Sequence, residues 1–259
     1  MVTGASSGIG RATAISLANA GYHVIAAGRS ADRTAPVLDE IVATGGSAEF
    51  VQIDLASLRA VRAAAGEVLS SGRAIDVLVN NAGIGVNRRG VTEDGFEVHF
   101  GINHLGHFLL TSQLTSVLGE GARVVSLTSA MHHRADGMDL TRVRRPTRGI
   151  GLAEYATSKL ANVLFIRELA RRRPELRAYA VHPGLVRTRI IPAFVRALST
   201  SMLTPEQGAD TVIWCATSAD MADESGGYYQ QRTRLPASAP GQDDAVAARL
   251  WDQSEQWCR

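Results

Sequence analysis

The chain has 259 residues, 45% of them hydrophobic, and a formal net charge of +2: enough apolar material for one sizeable core and so one domain, and too little charge for the field argument that would point to nucleic acid or an anionic membrane. No run reaches the roughly 18 unbroken apolar residues of a membrane span, and no basic flank with an apolar core marks a secretory leader. Cys215 and Cys258 lie far apart without CxxC or Cys/His ligand spacing, so the expectation is a cytoplasmic protein with two free thiols, no disulfide framework and no metal site.

In chain order, Val2 leads into Thr3-Gly4-Ala5-Ser6-Ser7-Gly8-Ile9-Gly10, and Ala12, Ile15, Leu17 and Ala18 then mark one helix face that ends near Gly21. Only Met1 and Val2 precede Thr3, so the first strand is expected to be very short, or the numbering to start late in it. Buried strands are predicted at His23 to Ala27, Phe50 to Ile53, Ile75 to Val79, Arg123 to Leu127 and Ala178 to Val181, each separated by a helical stretch. That alternation predicts an α/β fold with a doubly wound parallel sheet covered on both faces. Two segments break the rhythm: the arginine-rich stretch at about 131–150, read as an insertion, and about 190–204 with the tail beyond Leu235, read as a substrate lid. Tyr155 to Arg173 reads as a helix closed by Arg171 to Arg173 and Pro174.

The spacing of Gly4, Gly8 and Gly10 suits a dinucleotide turn. Glycine permits positive φ and close backbone approach, and the following helix offers free N–H groups to a pyrophosphate. The second strand ends at Gly28-Arg29, where such folds usually carry an acidic residue for the ribose hydroxyls. Arginine cannot accept those hydrogen bonds; it pairs instead with a ribose 2′-phosphate, helped by Arg33 or the Ser6 and Ser7 hydroxyls, which points to NADP(H).

Of the 27 basic residues, 26 are arginine, and the one lysine is Lys159. It follows Tyr155 by four residues, so on a helix the two share a face. A phenol with an ordinary pKa near 10 is a poor acid–base group at neutral pH, and a neighbouring cation is expected to bring it toward the working range. His132 and His133 have no third ligand at metal spacing and read as loop residues or substrate contacts; His104 and His107 read as core.

Together these residues resemble the short-chain dehydrogenase/reductase family, in its retinol dehydrogenase-like and protochlorophyllide reductase-like branch. The resemblance rests on Thr3 to Gly10, Asp54-Leu55, Asn80 to Gly83, Gly95 to Glu97 leading to Asn103 to Phe108, Ser129, Tyr155-x-x-x-Lys159, His182-Pro183-Gly184 and Leu250 to Glu255. It implies a Rossmann fold. It further implies a cofactor site of Gly4, Ser6, Ser7, Ile9, Arg29, Asp54, Leu55, Asn81, Ala82, Gly83, Tyr155, Lys159, Pro183, Gly184, Val186 and Thr188, with Asp54 and Leu55 flanking the adenine and Pro183 to Thr188 at the nicotinamide end. By the same resemblance Tyr155 moves the proton, Lys159 supports it, Ser129 binds the substrate oxygen and Asn103 holds a water relaying protons toward Lys159. Twenty-five residues separate Ser129 from Tyr155, about twice the usual gap in the wider family, as in the retinol dehydrogenase-like branch. The five arginines there, Arg134, Arg142, Arg144, Arg145 and Arg148, read as a solvated loop.

The expectation is therefore an NADPH-dependent oxidoreductase reducing a ketone or aldehyde, or oxidising the alcohol, on an apolar, polycyclic or isoprenoid small molecule. Ile190, Ile191, Phe194, Val195, Leu198, Met202 and Leu203 would form its lid or ordinary core. Two other readings keep the fold: an epimerase or dehydratase with bound cofactor, and a non-catalytic NADP-binding scaffold. Family members often assemble through the helices holding Asn103 and Tyr155, which leaves a homo-oligomer open.

Overall fold

The computed structural model describes residues 1–188 and 202–259. Strand β1 (Val2–Thr3) turns into α1 (Gly8–Asn19), followed by β2 (His23–Gly28), α2 (Ala31–Ala43), β3 (Ser47–Gln52), α3 (Leu58–Ser70) and β4 (Val77–Asn80). The next helix, α4, runs through Val98–Phe100, Gly101–Leu105 and Gly106–Gln113, the middle turn wound as a π-helix. Then come β5 (Arg123–Leu127), α5 (Leu152–Arg172), β6 (Arg177–Val181), α6 (Pro205–Thr217), β7 (Gly227–Gln230), β8 (Thr233–Leu235) and α7 (Asp244–Trp257).

The strands form one sheet in the order β3-β2-β1-β4-β5-β6-β7-β8. Pairing is parallel as far as β7, and β8 returns antiparallel. This is the doubly wound α/β architecture that the alternation predicts. The β7–β8 hairpin is a departure from the all-parallel expectation. Its turn places Gln231 and Arg232 at φ 49° and 55° where hairpins usually signal themselves with Asn-Gly or Gly, and β8 is exposed along its length, so no apolar alternation announces it.

Side-chain alternation splits the core in two. Leu78, Val124, Phe108, Leu160 and Trp251 pack on the α3, α4, α5 and α7 face, whereas Val77, Val79, Val125, Leu17, Ile41 and Val212 pack on the α1, α2 and α6 face, as a period of two along each strand requires. Helix α7 is clamped by rings: Trp251 lies edge-on to Phe108 at 5.0 Å and stacks on Phe165 at 5.9 Å, contacts worth about 0.5–1.5 kcal/mol each beyond area burial. The two-residue β1 is sustained by position, pairing with Ala26 and Ala27 on one side and Val79 on the other. Among the described residues no helix is long and apolar enough to cross a membrane.

Segment 131–150 is folded onto the domain. Two 3₁₀ turns, Ala130–Arg134 and Arg142–Arg144, carry it, Val143 and Met138 are buried, and the Arg144 guanidinium sits 4.0 Å over the Phe96 ring. All five arginines are exposed, as the sequence suggests, and Arg144 additionally covers an aromatic ring. Of the apolar lid, Ile190 through Leu198 lie outside the described residues; Met202 is buried, and Leu203 pairs with Val186.

Candidate active site

A cleft of about 590 Å³ follows the carboxyl ends of β1, β2, β3 and β4, where doubly wound sheets bind ligands. The glycine turn forms its floor. Gly4 and Gly8 adopt φ +69° and +57°, and a Cβ on Gly10 would stand 2.4 Å from both the Gly4 carbonyl oxygen and Asn81 Nδ2. Glycine is required there because backbone and amide already fill the space. Helix α1 begins at the same place: its N-cap, Ser7, makes no side-chain cap bond, and its first turn holds no acidic residue. Its leading N–H groups therefore remain for an anion, and the site fits the pyrophosphate of a dinucleotide.

Ser6, Ser7, Ile9, Arg29, Asp54, Leu55, Asn81, Ala82, Gly83 and Thr188 line this cleft together, with Arg33 beside Arg29. Both arginines are exposed, and Ser30 caps α2 by accepting from the Arg33 N–H at 3.3 Å. Asp54 turns its carboxylate onto the Ala56 N–H at 3.0 Å. Thr3 is a hub that the sequence reading missed. Its hydroxyl accepts from the Asn81 and Ala82 N–H groups at 2.9 and 3.0 Å and contacts His107 Nε2 at 2.9 Å. His107 Nδ1 faces the Asn103 carbonyl at 3.1 Å, so Nδ1 carries the hydrogen and Thr3 donates to Nε2. The threonine thereby holds the loop after β4 against the glycine turn.

At the other end, β5 stops at Leu127 and Ser129 caps the short turn beyond it, its Oγ accepting from the Met131 N–H at 3.2 Å. The Ser129 hydroxyl lies near the Tyr155 phenol and favours its ionised form. Lys159 lies on the same side of α5: its Nζ is 5.8 Å from the Tyr155 ring centre and donates to the Leu127 carbonyl at 3.0 Å. Burial lowers the ammonium to about 8, so it stays mainly charged at pH 7. Tyr155 departs from expectation. Burial raises its pKa because desolvation of the phenolate outweighs the favourable influence of the Ser129 hydroxyl, while the Lys159 ammonium gives its N–H to Leu127.

The Asn103 side chain, fully buried, accepts from the Ile84 N–H at 2.8 Å and donates to the Ile84 carbonyl at 3.1 Å and to Ser158 Oγ at 3.0 Å. It brackets the loop after β4 to the Tyr155 helix, and the π-wound turn of α4 aims it there. A Cβ on Gly83 would lie 3.0 Å from its Oδ1 and 3.9 Å from Lys159 Nζ. After β6, Gly184 takes φ +83°, a Cβ there would meet Leu203 at 2.7 Å, and Pro183 precedes it. The Thr188 N–H then donates to the Val186 carbonyl at 2.8 Å, which brings its methyl within 3.2 Å of a Cβ placed on Gly8.

The histidines sort by burial. His104 and His107 are core, as expected, and burial holds them neutral, at about 3 and about 4. His132 is a correction. It is buried, with Nδ1 2.7 Å from the Ser129 carbonyl and Nε2 accepting from the Ser238 N–H at 3.1 Å, so it fastens the tail to the Ser129 turn and presents no free nitrogen to a substrate. Only the exposed His133 matches a loop residue.

The short chain dehydrogenase family matches residues 1–197. Human retinol dehydrogenase 11 is 38% identical, aligned over 98% of this chain and 83% of its own. A protein of Streptomyces sp. (strain C5) named for daunorubicin C-13 ketoreduction is 36% identical over 98% and 90%. A short chain dehydrogenase of Burkholderia cenocepacia, solved in complex with NADP, superposes with a TM-score of 0.72 at 29% identity, over 93% of this chain and 96% of that one. The chain therefore belongs to the short-chain dehydrogenase/reductase family, retinol dehydrogenase-like, and is an oxidoreductase of carbonyl or alcohol groups that uses a nicotinamide cofactor.

Proposed function

We propose that this protein reduces a ketone or aldehyde on an apolar small molecule with NADPH, with Tyr155 as the proton donor, in the cytoplasm. The observation that carries the reading is the meeting of Ser129, Tyr155 and Lys159 at the end of β5, with Asn103 joining their helix to the loop that lines the cleft. When bound, the cofactor supplies the hydride that adds to the carbonyl carbon. Ser129 would hold the carbonyl oxygen, and Tyr155 would protonate it as negative charge develops. Burial keeps the Tyr155 proton in place, which suits an acid and therefore reduction. Lys159, charged beside it, would favour the phenolate left behind and meet the ribose hydroxyls; Asn103 carries the water-holding role in the same reading.

The preference for NADP(H) rests on Arg29 and Arg33 at the far end of the cleft, where guanidinium groups would meet a 2′-phosphate, and gains support from the Burkholderia relative, solved with NADP. The apolar substrate class is supported by the relatives named for retinol and daunorubicin. Titration calorimetry of NADPH and NADH against wild type and Arg29→Ala tests the first half. NADPH should bind a few-fold more tightly than NADH and lose most of that margin in the variant; equal affinities in the wild type sink the NADP assignment. Net NADPH oxidation with retinaldehyde or a polycyclic ketone tests the second.

A further inference from the structure

A buried pair outside this set, His99 and Glu97, has a geometry that fixes its charge. His99 Nδ1 stands 2.8 Å from Glu97 Oε1, and Nε2 stands 3.0 Å from the Gly85 carbonyl oxygen. The carbonyl can only accept. Glu97 also receives the backbone N–H groups of His99 at 2.9 Å and Phe100 at 3.0 Å and the Thr147 hydroxyl at 2.5 Å, a donor set that calls for an ionised carboxylate. With acceptors on both sides, each ring nitrogen must carry a hydrogen, and the ring is an imidazolium. A neutral ring would set lone pair against lone pair at one end, and the two side chains, 0% and 2% exposed, leave no water to relieve it.

This cation stands where three parts of the site meet. Gly85 belongs to the cleft loop that also carries Asn81 to Gly83. The ring centre lies 6.2 Å from that of Tyr155, nearly edge-on, and a Cβ on Gly151, the N-cap of α5, would be 2.6 Å from His99 Cε1. Glu97 extends the link to segment 131–150 through Thr147 and through its own N–H, which donates to the Val143 carbonyl at 2.7 Å. Among the described residues, the titratable groups in contact with the ring are Glu97 from the start of its own helix and Tyr155 from α5.

We propose that His99, kept as an imidazolium by Glu97, is a positioning residue for the oxidoreductase reaction: it locks the cofactor loop to the start of the Tyr155 helix, so that cofactor and proton donor keep one relative placement. Charge-assisted hydrogen bonds are about twice as strong as neutral ones, which is the reason for an ion in this role. The positioning rests on the proposed reading of Tyr155, whereas the charge of the ring does not.

The test uses the full chain. Side-chain ¹⁵N–¹H spectra, assigned by difference against His99→Gln, should show both His99 nitrogens protonated in the folded chain; one bare nitrogen overturns the proposal whatever Tyr155 does. NADPH titration then reads positioning. His99→Gln, whose amide can still donate to Gly85, should weaken NADPH by no more than about threefold, while His99→Ala should weaken it by about tenfold or more. Glu97→Gln preserves shape, should leave His99 with a single protonated nitrogen, and should fall between them. Wild-type NADPH affinity in both His99→Ala and Glu97→Gln overturns the positioning role, and if His99→Ala does not fold, Glu97→Gln decides alone. A wild type that binds neither NADPH nor NADH defeats the positioning role and the proposed function together, and the spectra still report separately on the charge of the ring.

Discussion

The arginines of the cleft and the buried residues at the end of β5 are built on opposite physical terms. At the end of β2, Arg29 and Arg33 are exposed and act through water; their attraction for an anion is modest and screened by salt. At the end of β5, Asn103 is 0% and Lys159 6% exposed, each hydrogen-bonded to backbone or to a buried hydroxyl, in surroundings where displacing a group by an ångström is costly. On the proposed function this is a division of labour: exposed charge would choose the cofactor, and buried structure would place it.

The comparison is most strongly tested by Tyr155→Phe, which keeps the ring and removes the proton. Carbonyl turnover should fall on the order of 10²–10⁴-fold with NADPH affinity nearly unchanged; a variant with wild-type turnover would break the assignment of the buried end. Acid should then strike the buried end first. His104 and His107 have folded values of about 3 and about 4 against an ordinary 6.5, so below 6.5 the unfolded chain binds more protons. Their neutral burial therefore adds its full share to stability above about pH 6.5, a share that shrinks as pH falls toward the folded values. Between pH 7 and 5 each should remove on the order of 2 kcal/mol, measurable by urea unfolding, and His104→Gln should flatten the slope.

A smaller effect is expected at the turn joining the two ends. Gly10→Ala puts a Cβ 2.4 Å from the Gly4 carbonyl, backbone that cannot swing away, and should cost about 1–3 kcal/mol of stability together with NADPH affinity; an unchanged unfolding midpoint would show the turn to be softer than this. The smallest is ionic. Raising salt should weaken NADPH by a few-fold and NADH hardly at all, since exposed pairs contribute about 0–1 kcal/mol; equal salt dependence would remove the arginines from cofactor choice.

Much of this was legible in the chain itself. The alternation of apolar runs with helical stretches determined the doubly wound sheet, down to β5 at Arg123–Leu127, because local periodicity reports which faces are buried. The glycine turn and the four-residue step from Tyr155 to Lys159 were legible for the same reason: the constraint is local. What only the tertiary structure decided depends on partners distant in sequence. Thr3 meets His107 across 104 residues, His132 meets Ser238 across 106, and the Tyr155 pKa is set by how deeply the ring is buried. Nothing in the neighbouring residues encodes those distances. The charge of His99 is of this kind too, since it follows from a carboxylate on one side and the Gly85 carbonyl, 14 residues away, on the other.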